Sequence, residues 1–254
     1  MKPELSPAAG PACVGVRTVV DESRIQKLDI HTDPERVLLL LIATHGIITK
    51  ATWERNKTYS SNDLSNAMWT LTRRKLVVAR PLCVGTTYFM FSKSAASTLG
   101  LPPTRAKSLE GDGKLRAFAR LLFFTQHYPD AVRISKEDAA TVIGHGAGGL
   151  PQGFFRRQGM TDWLGFLRVD GHMAGVPKRS AKSLRDDVLR VVALDTVRSK
   201  LKQANFGWFW ITARQSRVEA VMSMFKSFDV RNAPVTVVVM PELVALITTK
   251  ERAV

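Results

Sequence analysis

The stretch that most constrains the fold lies between Asp33 and Gly100, where three short helical patterns are followed by two strand-like runs and a tight turn. Leu64, Ala67, Met68 and Leu71 stand at i, i+3, i+4 and i+7, the spacing of one buried helical face. They predict a helix from Ser60 or Ser61 to Lys75. Upstream, Asp33-Pro34 supplies an N-cap followed by proline at the first helical position, leading into residues 37–44 and stopped by Gly46. Thr49 opens a second short helix over 49–56. Downstream, residues 76–82 and 87–91 read as strands joined at Cys83-Val84-Gly85-Thr86, where glycine can take the turn conformation, and 92–99 returns to helix. Three helices and a hairpin in this order predict a winged helix-turn-helix over 31–101.

Thirty-seven Lys and Arg against 22 Asp and Glu leave a formal charge of +15, the sign that favours contact with a polyanion. Residues 50–80 alone hold seven basic and two acidic side chains, a local net of +5. In a helix-turn-helix the second helix of the motif enters the major groove and its outer face reads base edges. That face carries Ser61, Asn62, Ser65, Asn66, Trp69 and Thr70, with Arg73 and Arg74 at its C-terminal end placed to meet phosphates or bases. Lys50, Thr52, Arg55 and Lys57 sit where the preceding helix crosses the backbone, and Arg80 is the wing candidate. Trp69 shares the outer face by spacing, although packing between helices is the ordinary role of both Trp53 and Trp69.

Residues 1–30 are expected to be a flexible leader and arm, and the polar stretch 102–113 a linker to a domain over 114–254. Helical patterns cover 114–126 and 135–143, the second with Ser135 and Asp138 in capping relation. Strands over 164–169, 208–212 and 235–240 then alternate with helices over 180–203, 215–228 and 241–248, which predicts an α/β domain with a mixed or partly parallel sheet. The apolar stripe Leu184, Val188 and Val191 of the long helix serves either to pack this domain or to pair two subunits, and its basic side offers backbone contacts.

Residues 34–102 resemble the winged-helix half of the replication-relaxation-like proteins of plasmids and integrative elements. The resemblance rests on Leu71-Thr72-Arg73-Arg74-Lys75-Leu76-Val77 and on Thr87-Tyr88-Phe89-Met90-Phe91-Ser92-Lys93-Ser94-Ala95-Ala96-Ser97-Thr98-Leu99-Gly100. In that family a strand ending in a Tyr-x-Leu-Thr-like phrase passes into a helix ending Leu-Gly; this chain has Phe91-Ser92 instead. The resemblance implies a DNA-binding winged helix followed by a nuclease-like α/β domain, and the C-terminal half matches weakly.

Metal-assisted phosphodiester hydrolysis requires oxygen ligands that converge on one point. Asp130 and Asp170 stand in suitable places, but residues 208–212 contain no acid, so the domain reads as a degenerate nuclease-like fold with neither catalytic nor metal residues. Asp170 reads as a cap on the Gly171 turn, and Asp186, Asp187 and Asp195 as ion-pairing surface. His31, His45, His127, His145 and His172 form no zinc spacing, and Cys13 and Cys83 provide no disulfide framework. Gly144-His145-Gly146-Ala147-Gly148-Gly149 lacks the Gly-Lys-Ser/Thr ending of a phosphate loop.

The expectation is therefore a sequence-specific double-stranded DNA-binding transcriptional regulator of a mobile element, a repressor or an activator, acting as a homodimer without a cofactor. No apolar signal segment and no bilayer-length run is present, so a bacterial cytoplasmic, nucleoid-associated location is expected and a membrane is not. The alternatives are a nuclease or plasmid replication or mobilisation protein, and a winged-helix module that contacts only protein.

Overall fold

The computed structural model describes residues 22–55, 58–160, 162–171, 173, 175–226 and 235–251. Residues 1–21 of the expected leader, with Cys13 and Arg17, lie outside the described residues, as do Lys57 and His172; residues 22–30, expected to be flexible, are instead folded, with Ile25 and Leu28 buried in the core. A single turn, α1 (Glu22–Ile25), precedes α2 (Asp33–His45), β1 (Ile48–Thr49), α3 (Lys50–Trp53) and α4 (Ser61–Arg73). Then β2 (Val77–Cys83) and β3 (Thr86–Phe91) form an antiparallel hairpin, β1 pairs with the other edge of β3, and α5 (Lys93–Thr98) follows.

Hydroxyl caps set these helix starts. Ser60 accepts the Asp63 N–H at 3.1 Å, and Ser92 accepts the Ala95 N–H at 3.1 Å. For α2 the cap is Thr32, one residue earlier than expected; its hydroxyl accepts the Glu35 N–H, while Asp33 and Pro34 already belong to the first turn. Leu64, Ala67, Met68 and Leu71 are buried, as their spacing predicts, and join Leu38, Leu39 and Ile42 of α2 in one cluster. Gly85 turns the hairpin at φ +74°, a conformation that side-chain-bearing residues adopt at a cost.

The second sheet has the order β4-β5-β6-β7-β8. It is built from β4 (Ala131–Arg133), β5 (Phe154–Arg157), β6 (Leu164–Val169), β7 (Phe206–Thr212) and β8 (Val235–Val239). Adjacent pairs from β4 to β6 are antiparallel and those from β6 to β8 parallel, so the α/β fold contains a mixed sheet. Its helices are α6 (Asp112–Leu122), continued by a π-helical turn at Phe123–His127, then α7 (Lys136–Ile143), α8 (Pro177–Val192), α9 (Asp195–Lys202), α10 (Gln215–Lys226) and α11 (Val244–Glu251).

Two expectations for this half are corrected. Strands β4 and β5 arise between residues 127 and 163, where the sequence pattern predicts only the helix over 135–143. The single helix over 180–203 is two, α8 and α9, parted at Ala193 and Leu194, and the Thr196 hydroxyl beyond the break donates to the Ile143 carbonyl at 2.7 Å. Leu184, Val188 and Val191 are buried with Phe166, Trp208 and Trp210, so the stripe packs the domain.

Both faces of the second sheet are covered. On β5, Phe154 belongs to the cluster under α8, and Phe155 to the cluster shared with α6 and the N-terminal half. Gly165 and Gly207 are cross-strand partners on β6 and β7, and aromatic rings fill the space that their missing side chains leave. A Cβ at Gly165 would lie 2.4 Å from the Phe155 ring, and one at Gly207 would lie 2.6 Å from Trp163. Gly165→Ala is therefore expected to destabilise the fold by about 1–3 kcal/mol. Urea denaturation reads this directly; an unchanged midpoint would mean that the rings move aside freely.

Residues 102–113 carry a 3-10 turn at Pro103–Ala106, and the Leu109 N–H donates to the Tyr88 hydroxyl at 3.0 Å. The buried cluster of α2, α4 and the hairpin continues through Phe118 and Leu122 of α6 to Leu167, Phe209 and Ile211 of the second sheet. Helix α11 packs against β2 and α6. No described helix is long and apolar enough to cross a membrane.

Candidate nucleic-acid interface

With its apolar stripe turned inward, α4 exposes Ser61, Asn62, Asn66, Trp69 and Arg73, while Ser65 and Thr70 are half-buried. Among the described residues nothing holds the side-chain amides of Asn62 and Asn66. The Thr70 hydroxyl donates to the Asn66 carbonyl at 3.0 Å, within the helix itself. Trp69 is 62% exposed, and the Arg73 guanidinium lies 5.3 Å from its ring centroid in a cation–π pair. The packing role expected for both tryptophans belongs to Trp53 alone, which is buried with its ring 5.1 Å from that of Phe89. One residue beyond Met68 means about 100° around the helix, and this step carries Trp69 out of the buried stripe.

Two members of the expected set are corrected by their surroundings. Thr52 is buried, with its hydroxyl 3.0 Å from that of Thr49 and accepting the Thr49 N–H at 3.3 Å, so it faces the protein. Arg74 turns back toward α2: it pairs with the buried Glu35 at 3.3 Å and with Asp29 at 3.2 Å, and donates to the Leu28 and Asp29 carbonyls. A carboxylate buried like that of Glu35 needs its cation, which ties Arg74 to the fold.

The other described basic positions of the set are open. Lys50 is exposed and lies 3.6 Å from Glu54, which also accepts from the Ser61 hydroxyl at 3.2 Å; an exposed pair of this kind is weak and leaves Lys50 available. Arg55 and Arg80 are exposed. Arg80 stands on β2 opposite Tyr88, short of the hairpin tip, where Val84 is 95% exposed.

A groove of about 980 Å³ opens between α3, α4 and the hairpin tip. It is lined by Ser65, Met68 and Trp69 from α4, by Val84 and Thr87 from the hairpin, and by Phe118 and Ala245 from the second half. Trp53 also lines it, and among the described residues its buried Nε1 has no hydrogen-bond partner.

Four carboxylates of the second half, those of Asp130, Asp170, Asp187 and Asp195, lie against an arginine. Asp130 accepts from Arg157 Nε at 2.6 Å. Asp170, 2% exposed, accepts from Arg217 Nε at 2.7 Å and from the Ser180 hydroxyl at 2.7 Å, a buried cluster beyond the turn role expected for it. Asp187 is likewise buried, not on the surface, 2.9 Å from Arg168; burial raises its carboxyl above the ordinary range and Arg168 opposes the shift. Asp195 pairs with Arg198. Among the described residues, no three His, Cys, Asp or Glu side chains come together as metal ligands.

Comparison with family models, with curated proteins and with solved structures finds no match to this chain.

Proposed function

We propose that the chain is a sequence-specific double-stranded DNA-binding regulator of transcription, with residues 31–101 as a winged helix-turn-helix, α4 as its reader and the β2–β3 hairpin as its wing. The observation that carries this reading is the outer face of α4. It offers two asparagine amides and Arg73, which no carboxylate among the described residues holds, beside a hairpin whose tip residue Val84 is exposed. Asparagine can bond adenine through two atoms, arginine can do the same to guanine, and an exposed apolar ring such as Trp69 can meet a thymine methyl. Lys50, Arg55 and Arg80 serve as phosphate contacts, whereas Thr52 and Arg74 leave the set. The resemblance of residues 34–102 to replication-relaxation-like proteins points the same way and suggests a mobile element as the setting.

One such unit reads few base pairs, so two-fold pairing with reader helices about 34 Å apart belongs to the same proposal. The arginine partners of Asp130 and Asp170 favour a regulator over a nuclease, because a carboxylate already neutralised by a fixed guanidinium is a poor ligand for a divalent ion.

Footprinting across the chain's own promoter region is expected to show a protected site. Asn66→Ala or Arg73→Ala should relax base preference by about 1–3 kcal/mol where either meets a base. Lys50→Ala should weaken all sequences alike and reduce the slope of log affinity against log salt by about one. Binding indifferent to sequence, with one salt slope for all three variants, would hand the surface to a protein partner.

A further inference from the structure

Arg105 and Arg133 share one small pocket at the junction of the two halves with no carboxylate in its lining, and the charge of Arg120 reaches Arg133. Arg105 stands on the 3-10 turn at Pro103–Ala106, Arg120 on α6 and Arg133 on β4, and all three are half-buried. Among the described residues none of them takes part in an ion pair or a side-chain hydrogen bond. Their neighbours Arg116 and Arg168 differ, being paired with Asp112 and Asp187. Burial, then the charges of Arg120 and Arg105, push Arg133 down to about 10, and burial lowers Arg105 and Arg120 as well. Desolvated charges are normally paired, so three crowded cations describe a place prepared for an anion.

Arg105 and Arg133 line one small pocket of about 80 Å³ together with Ser135, Lys136 and Gln152, and no carboxylate lines it. A single water needs roughly 10–15 Å³ of such space, so a tetrahedral oxyanion fits. Glu137 and Asp138, in the first turn of α7, are exposed and do not line it. Ile134, Ala139 and Phe154 form apolar parts of the wall, which strengthens the attraction of an anion for the cations. The donors come from the 3-10 turn, from β4, from the start of α7 and from the loop before β5. Such a spread surrounds a group with oxygens in several directions, whereas a planar carboxylate is met by one guanidinium fork.

The geometry points to a phosphate-binding site between Arg105 and Arg133, completed by Lys136, Ser135 and Gln152, with Arg120 adding charge nearby. It uses no residue of α4 and stands independently of the DNA reading.

Thermal unfolding of the full chain tests it, with sodium pyrophosphate, phosphate or chloride at matched ionic strength. Both phosphates are expected to raise Tm above the chloride value, and Arg105→Met and Arg133→Met each to weaken that response about tenfold or more. Removing one cation relieves the crowding, so neither substitution should lower Tm in chloride; arginines retained only for packing would behave in the opposite way. Fluorescence anisotropy of a labelled duplex identifies the source of the phosphate. If it is the DNA backbone, pyrophosphate displaces the duplex and Arg133→Met lowers the salt slope by about one. If it is a free phosphorylated ligand, duplex affinity is unchanged in the variants while their Tm response is lost. A wild-type Tm indifferent to both phosphates, or a response that both variants keep in full, overturns the site.

Discussion

Arg217→Met is expected to cost about 3–5 kcal/mol of folding stability, because it strands a buried carboxylate. Asp170 is 2% exposed and Arg217 reaches it at 2.7 Å, while the same guanidinium donates to Ser180 at 2.7 Å and to the Gly175 carbonyl at 2.8 Å. These bonds tie the end of β6 to the start of α8 and to α10, so their loss loosens three elements together. For a chain of this size the cost corresponds to a fall in Tm of roughly 6–20 °C. The double variant Asp170→Asn/Arg217→Met should regain much of the loss, since no charge is then left buried alone. Urea titration followed by tryptophan fluorescence would measure both, Trp208 and Trp210 lying in the adjoining cluster. A single-variant loss below about 1 kcal/mol would mean that water reaches Asp170 in solution.

Acidification should destabilise the wild-type chain more than a His45→Phe variant. His45 ends α2 with its ring 6.4 Å from that of Phe124, and burial, then the charges of Arg133 and Arg105, push its pKa down from 6.5 to about 4. Between those two values the unfolded chain binds the proton and the folded chain does not, so stability increases with pH. The contribution is complete above about pH 6.5 and is lost as the pH falls toward 4; at most it amounts to about 3 kcal/mol, from 1.36 kcal/mol per unit. Stabilities measured by urea between pH 7 and 4.5 should diverge between the two proteins. Parallel curves would place the His45 proton equilibrium close to that of the unfolded chain. Phosphate bound at Arg105 and Arg133 would offset part of the repulsion and make the divergence smaller.

What the sequence made legible is what depends on local chemistry. The stripe at Leu64, Ala67, Met68 and Leu71, the hydroxyl at Ser60 and the turn at Gly85 each carry their signal within a few residues, and α4 and the hairpin follow from them. Strand β5 was hidden because Phe154 and Phe155 are both buried, each in a different cluster, so the alternation of apolar and polar residues that marks a one-sided strand is missing. The parting of α8 from α9 has no glycine or proline to announce it and is governed by packing against distant residues. Arg73 and Arg74 look alike in a linear reading. Only the fold shows that one stacks on Trp69 and the other reaches Glu35 and Asp29. The Arg105, Arg120 and Arg133 cluster draws one residue from each of three elements, and no spacing rule connects them.

The buried cluster that runs unbroken from Leu38 and Leu71 through Phe118 to Phe209 has a consequence for how such a chain can be altered. A reading head joined to its support by a loose tether can be exchanged between proteins as a cassette. Here a cut within residues 102–113 would expose apolar side chains on both sides of the break and remove the bond from Leu109 to Tyr88. If α4 reads DNA as proposed, change in what it reads must then come by substitution on its outer face, with the scaffold inherited whole.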